Sequence, residues 1–475
     1  MTTKRQRFHP SVILVYFIRN IRSWIFLIFL LFINNNSFFY NALALGGIVL
    51  FVLITSLVKY FTHTYQISPE RIIVYRGLLK KRETDISYDR IQTIKQRQWF
   101  FFKPFNVVEV LIETASTSPG EAEASLSAVD HSLVDTIEQY RNKEYSHENT
   151  EENEQGVEKN KIHFALSNKD ITLYALTDAK AILILLGIFT FITEWIPEEM
   201  FTEVGTVVDY FQGFLIIFLF LFVLFAIALL SLAKNFIKFY RFQSSLKNET
   251  LILEYGLFER KVQTIPLSKI QGIRLHKQLV RALFNRSSVE LIIMGGQEKE
   301  EQGLSSVYLF PLIHNAQVYE ELANFLPNIP LQKPLIQKVS QKRLWYFWRW
   351  KLLIGIPGIV IGFNVNLLLG IGLSIVLIVV LLLALKATHT QGYTIEDRRI
   401  LVLQQFQGLS TIQLFIAQKN IQAFVQSTSL WLEKKQLGHL KVAFKEGELP
   451  KESGLKFIAK SDAETIHRGF WNSTI

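Results

Sequence analysis

The sequence predicts an α+β membrane protein: three transmembrane helical hairpins, each followed by a small β-rich unit that closes with a helix. Three observations predict it. Long uncharged stretches occupy residues 24–58, 211–233 and 352–385. An Ile-Gln pair recurs after each of them, as DRIQTI at 89–94, SKIQGI at 268–273 and KNIQAF at 419–424. Short runs of branched and aromatic residues flank these pairs, and a helical pattern follows.

Composition agrees with a membrane chain. The 475 residues leave room for three units at ~100–200 residues per domain. Apolar residues reach 49%, with 38 Phe, and charged residues fall to 19%, below the ~25% of soluble chains. The chain has no cysteine, which excludes disulfides, thiolate nucleophiles, iron–sulfur centres and cysteine zinc sites. A net charge of +10 points to an anionic partner, nucleic acid or an anionic membrane face, and hydropathy selects the membrane.

The first hairpin lies within 24–58 and breaks at Asn34-Asn35-Asn36-Ser37. In the second, residues 181–193, extended through Trp195 and Pro197, pair with 211–233. At ~1.5 Å per residue the latter makes about 35 Å of helix, enough for a ~30 Å hydrocarbon core. The third turns at Gly362-Phe363-Asn364-Val365-Asn366. The hairpin turns at 34–41, 194–210 and 363–366 hold no Lys or Arg. The opposite ends carry Arg19, Arg22, Lys59, Lys180, Lys234, Lys238, Arg349, Lys351 and Lys386. Basic residues at span ends stay cytoplasmic, so both termini and every large polar segment are expected there. The start, MTTKRQRFHP, lacks a small-residue cleavage site and predicts no removed signal.

The units repeat. Gly77 precedes Gln92, and Gly256 precedes Gln271, by fifteen residues; Gly408 precedes Gln422 by fourteen. Gly-Leu recurs at each glycine, suiting a tight turn with positive φ. RIIVY from Arg71, TLILEY from Thr250, VVEVLIET from Val107 and SVELII from Ser288 read as strands between turn residues. Residues 128–140, 313–325 and 461–471 read as closing helices. Ile91, Ile270 and Ile421 are expected in cores, and Gln92, Gln271 and Gln422 in backbone-bonding roles.

Arg71-Ile72 and Arg399-Ile400, the Gly-Leu turns, the Ile-Gln pairs, the stretches QRQWFFFKPFNVVEVLIETA and HKQLVRALFNRSSVELII, and His9-Pro10 carry a resemblance. The chain resembles the bacterial pleckstrin-homology (PH) family, in its membrane-flanked, YdbS/YdbT-like branch. Asn106 and Asn285 depart from it, standing where that family more often has Gly. The resemblance implies, for each unit, a PH-like β-barrel or sandwich of about seven strands with a C-terminal capping helix. It divides the chain into a juxtamembrane segment (1–22), hairpin 1 (23–60), PH-like domain 1 (61–141), an acidic polar linker (142–162), a juxtamembrane helix (163–180), hairpin 2 (181–234), PH-like domain 2 (235–327), a linker with a juxtamembrane helix (328–350), hairpin 3 (351–386) and PH-like domain 3 (387–475).

No HExxH or P-loop pattern occurs, and the ten His are scattered, so no catalytic, cofactor or metal site is expected. The spans hold no ionisable residue of the kind transporters keep, which weakens a transport reading. What remains is a non-enzymatic binding or scaffold protein of the bacterial cytoplasmic membrane. The resemblance adds envelope stress or antimicrobial resistance as its setting; assisting transport or export is the alternative. Lys80-Lys81-Arg82 in the first unit and Arg260-Lys261 in the second follow the Gly-Leu turn and are candidate contacts for anionic lipid. SQKRLWYFWRWK before the third hairpin suits the headgroup zone or the first turns of a spanning helix. The partners expected are the lipid bilayer, anionic headgroups, and another membrane protein or a smaller family member, with no nucleic acid.

Overall fold

The computed structural model describes residues 5–33, 38–78, 80–114, 124–147, 162–177, 222, 225–226, 229–230, 232–247, 249–293, 299–300, 303–304, 306–327, 329, 332–339, 343–396, 400–446 and 449–471. Most of the expected second hairpin and of the acidic linker lies outside them. Two compact units are present: Met1–Lys161 with Leu246–Pro266 and Gly295–Ser305, and Ile162–Ser245 with Leu267–Met294 and Ser306–Ile475.

Apart from a ribbon of Lys299–Glu300 with Gly303–Leu304, the described strands fall into three successive sets of seven. The first set is β1 (Gln6–Arg7), β2 (Thr64–Ile67), β3 (Arg71–Arg76), β4 (Arg82–Ser87), β5 (Ile91–Trp99), β6 (Val107–Thr114) and β7 (Ala124–Asp130). The second is β8 (Ile162–Ala165), β9 (Gln243–Lys247), β10 (Thr250–Tyr255), β11 (Glu259–Pro266), β12 (Ile270–Gln278), β13 (Arg286–Ile293) and β14 (Val307–His314). The third is β15 (Gln337–Lys338), β16 (Gly392–Glu396), β17 (Ile400–Gln407), β18 (Ser410–Ala417), β19 (Ile421–Ser427), β20 (Leu437–Glu446) and β21 (Leu449–Ala459). The helices used below are α1 (Val12–Arg22), α2 (Ile25–Ile33), α3 (Phe38–Thr62), α4 (His131–His147), α5 (Asn168–Leu176), α6 (Val318–Phe325), α7 (Leu344–Val365), α8 (Leu367–Thr390) and α9 (Lys460–Trp471).

Among the described residues, three helices are long and apolar enough to cross a membrane: Phe39–Thr62, Leu344–Val365 and Leu369–Thr390. A fourth candidate is the pair Val12–Arg22 with Ile25–Leu31, bent by 59°. The aromatic and basic stretch from Leu344 belongs to α7 itself, as its first turns, and α7 meets α8 at the extended residue Asn366.

The expected strands at Thr250 and Val107 occupy the predicted residues. The sequence leads one to expect all seven strands after each hairpin. Instead the first strand of a set precedes the hairpin and returns to pair behind it: β1 on β2 through Gln6↔Tyr65, and β15 on β16 through Gln337↔Tyr393. The first two closing helices begin later than expected, because Ala128 and Ile313 still belong to β7 and β14, whereas the third, α9, starts within one residue of its expected place.

In the first unit, β1-β2-β3-β4 form an antiparallel sheet that packs on β5-β6-β7 and α4. Their core includes Ile72, Val74, Ile86, Ile94, Val110 and Ile137. Burying each such side chain contributes about 1.5–3 kcal/mol. In the second unit, β19-β20-β21 and α9 close over Leu401, Leu403, Leu414 and Ile416 in the same manner.

Sheets also continue from one set into the next. In the first unit the order runs β7-β6-β5-β11-β10, and in the second β14-β13-β12-β18-β17-β16-β15. The seam β5·β11 pairs Ile94↔Thr264, and the seam β12·β18 pairs Ile273↔Phe415. Each places the third residue after one marker isoleucine opposite the sixth residue before the next. The two seams therefore share one register.

The Ile-Gln pairs mark a corner. A 3₁₀ turn (Tyr88–Arg90, Leu267–Lys269, Gln418–Asn420) leads into the isoleucine that starts β5, β12 or β19. Register then slips by one residue between Ile91 and Thr93, between Ile270 and Gly272, and between Ile421 and Ala423. The glutamine is the bulged residue in all three, and a bulge bends its strand and strengthens the twist. Ile91 and Ile270 are buried, as expected, whereas Ile421 is only half-buried.

The repeated glycines all have positive φ, at +98°, +112° and +60° for Gly77, Gly256 and Gly408. A Cβ on Gly77 would sit 2.1 Å from the Lys80 carbonyl oxygen, and one on Gly256 2.1 Å from that of Glu259, while Gly408 has open space. Gly77→Ala and Gly256→Ala are therefore expected to lower the melting temperature clearly. Gly408→Ala should lose only the ~1–2 kcal/mol of left-handed backbone strain, which thermal unfolding of the solubilised chain will separate. Asn106 (φ 49°) and Asn285 (φ 53°) adopt the left-handed conformation that their amides tolerate, as a glycine at these places would.

Candidate functional site

A cleft of about 160 Å³ opens at the base of the first hairpin, lined by Tyr16, Arg19, Asn20, Lys59, His63, Arg76, Ser125 and Ser127. The elements explain its composition. α1 ends in Arg19 and Arg22 and α3 in Lys59, so the ends of both helices present cations where their carbonyls are unpaired. β3 supplies Arg76 and β7 the two serines.

Lys59 Nζ donates to Asn20 Oδ1 at 2.8 Å, and Arg76 Nη2 to the Ser125 carbonyl at 3.0 Å. Arg19 Nη2 lies 3.1 Å from Oε1 of the buried Glu109, which also accepts from Ser125 Oγ at 3.2 Å. The Tyr16 hydroxyl and His63 Nδ1 share a hydrogen bond at 3.1 Å. Burial, with Arg76 and Lys59 nearby, pushes His63 down to about 4, so its ring is neutral at physiological pH. Burial also pulls the Arg76 guanidinium below its ordinary value, which still leaves it charged. Three cations thus line the cleft, and of these Arg19 pairs with the Glu109 carboxylate. Arginines presented at such a cleft suit phosphate or carboxylate oxygens.

The sequence-derived basic residues separate. Arg82 is the cross-strand partner of Arg76, which brings it beside this cleft. Lys80, Lys81 and Arg82 are all exposed. Arg260 and Lys261 instead sit in the β5·β11 seam, opposite Gln98 and Arg97. Arg260 is paired with Glu254, and Lys261 Nζ is 3.9 Å from Glu259. The second pair is therefore partly neutralised. Arg19 and Lys59 are legible only as span-end charges and His63 only as half of a repeated His-Thr pair (His63-Thr64, His389-Thr390); Arg76 and Glu109 give no motif, because the fold alone gathers them. His389, the counterpart of His63 after the third hairpin, is exposed.

A second polar cavity, of about 570 Å³, lies within the second unit. Arg274 donates to Glu446 Oε1 and Oε2 at 3.2 and 2.7 Å and reaches Glu290 Oε2 at 3.2 Å. His276 Nε2 is 3.0 Å from Glu290, and Lys451 Nζ 3.1 Å from Glu446. Arg281 lies 3.9 Å over the Tyr174 ring and donates to Ser288 Oγ at 3.1 Å. Here charges satisfy one another, unlike those in the first cleft. The network ties β12 to β20, and thereby one strand set to the next.

A family model described as Bacterial PH domain matches residues 14–144 and 200–324, more than half of the chain. The UPF0699 transmembrane protein YdbT of Bacillus subtilis (strain 168) is 26% identical over 491 residues, covering 98% of this chain and 98% of that protein. No solved structure matches.

Proposed function

The chain belongs to the bacterial PH domain family, and on that premise we propose that it is a non-enzymatic binding platform of the cytoplasmic membrane, multi-pass, with its PH-like domains on the cytoplasmic side. Its ligand on this reading is the anionic headgroup of the surrounding lipid. The observation that carries the reading is the first-unit cleft, where Arg19 and Lys59 in the last turns of α1 and α3 and Arg76 on β3 gather, with Glu109 paired to Arg19. Arg82 extends the positive field along the β3–β4 edge, and Lys80 and Lys81 continue it on the surface. Cations close to an anionic leaflet contribute about 1 kcal/mol each. A domain held by its own hairpin also meets lipid at high effective concentration and needs little intrinsic affinity.

The test uses the full chain in nanodiscs of phosphatidylglycerol or of phosphatidylcholine, followed by thermal unfolding. Phosphatidylglycerol should raise the melting temperature, high salt should reduce the gain, and Lys59→Gln with Arg82→Gln should remove most of it. Equal melting in the two lipids, or a gain untouched by both substitutions, would refute headgroup recognition at this cleft.

A further inference from the structure

Two strand edges are left over by the seams. Sets one and two are joined by β5·β11, and sets two and three by β12·β18. In each seam the fifth strand of one set takes the fourth strand of the next. Among the described strands, the fourth strand of the first set, β4, has a neighbour on one side only, β3, and the fifth strand of the last set, β19, only β20. They are a fourth and a fifth strand, the two kinds that each internal seam joins.

Their surfaces differ from those of the joined strands. β5 and β12 are largely buried, whereas in β19 only Ile421 and Phe424 are half-buried and the rest is exposed, Val425 at 40%. β19 reads IQAFVQS, without a charge or a proline, the features that usually blunt a free edge. An open, uncharged edge of seven residues is a template for another strand.

We propose that β19 of one copy pairs antiparallel with β4 of a second copy, so that chains assemble head to tail at the membrane. The occupant follows from continuity: in both internal seams the partner is the fourth strand of the next set, and beyond set three the next set is the first of another chain. The shared register transfers directly. Asp85, six residues before Ile91, falls opposite Phe424, three residues after Ile421, which puts Thr84 opposite Val425 and Glu83 opposite Gln426. Such an interface joins two different surfaces, so it propagates into a ring or an open row.

The chain has no cysteine, so disulfide trapping has no background. Adjacent antiparallel pairs alternate between close and wide spacing, and testing two neighbouring pairs ensures that one is close. Two differently tagged full-length copies are co-expressed, one with Thr84→Cys and the other with Val425→Cys, and separately Glu83→Cys with Gln426→Cys. Oxidation of native membranes should give a mixed dimer carrying both tags from at least one pair. Thr84→Cys with Ser427→Cys, two residues out of register, should give far less. A chain carrying both Thr84→Cys and Val425→Cys should give a ladder of oligomers. Absence of a mixed dimer from both pairs, or a doubly substituted chain that closes only on itself, would overturn the proposal. So would a stronger product from the out-of-register pair, or capture of a different protein in place of the second copy. Independently, Val425→Lys should reduce the mass of the solubilised particle to one chain while leaving its melting temperature within about 2 °C; an unchanged mass would count against the edge.

Discussion

Ile91→Asp and Ile270→Asp are each expected to destroy the protease resistance of the unit they sit in, while Ile421→Asp is tolerated far better. Ile91 and Ile270 are 1% and 6% exposed, and each starts a strand immediately before its bulge. A carboxylate there is desolvated without a partner, at a cost of several kcal/mol. That is comparable with the whole stability of a domain, about 5–15 kcal/mol. Ile421 begins the open edge strand and is only half-buried, so its aspartate can reach water. Limited proteolysis of the solubilised chain, with fragments assigned to each strand set, reads the difference. Equal sensitivity in all three variants would mean that the corners do not differ in burial as the structure has them.

Arg274→Met should destabilise the second unit by roughly 3–5 kcal/mol, the usual loss when one partner leaves a buried ion group. It strands Glu290 and Glu446, whose side chains are 9% and 4% exposed. Burial pushes Glu290 upward, but His276 and Arg274 outweigh it and hold the carboxyl down to about 2, against an ordinary 4.5. Glu446 is lowered in the same way by Arg274 and Lys451 against its burial. A depressed carboxylate stabilises the fold above its unfolded value and loses that contribution as pH falls. The wild-type chain should therefore lose stability between about pH 4.5 and 2. The gap to Arg274→Met, whose carboxylates protonate more readily, should narrow over the same range. Adding Glu290→Leu and Glu446→Leu to Arg274→Met should recover much of the loss, since apolar residues replace buried ion groups with little penalty. Melting curves from pH 7 to about 2 check each statement, and a gap that widens in acid would contradict the pairing.

Much of the fold was legible because its signals are local. β10 and β6 follow from branched runs bounded by turn residues, and the glycines from the positive φ of their turns. Three matched Ile-Gln spacings are enough to show the repeat without any strand assignment. The glutamine is expected to bond backbone; the structure places it at a bulge, where the ladder is interrupted. β1 and β15 were illegible, because two residues are too few to show a period of two. Ala128, with φ of 58°, extends β7 where periodicity suggested helix, because pairing with β6 outweighs local preference.

The candidate cleft was legible only in part. Arg82 was singled out for its charge, but its neighbour Arg76 lies in an unremarkable strand, and Glu109 lies thirty-three residues further on. The equation of Lys80–Arg82 with Arg260–Lys261 did not carry through. The offsets match, yet Arg260 and Lys261 fall in a seam with carboxylate neighbours and Lys80–Arg82 at an open edge.

By itself, the sequence determined the membrane character, the threefold repeat, the strands with strong alternation and the glycine turns. Each of these rests on side-chain pattern or backbone sterics within a few residues. The tertiary structure alone decided which strand pairs with which, and therefore the seams, the cleft and the buried ion network. Strand pairing runs through backbone hydrogen bonds that every residue except proline can make, so the sequence carries little trace of the partner. Only closure of the sheets around a core, with its register set by which faces must be buried, selects one pairing among the many that local preference allows.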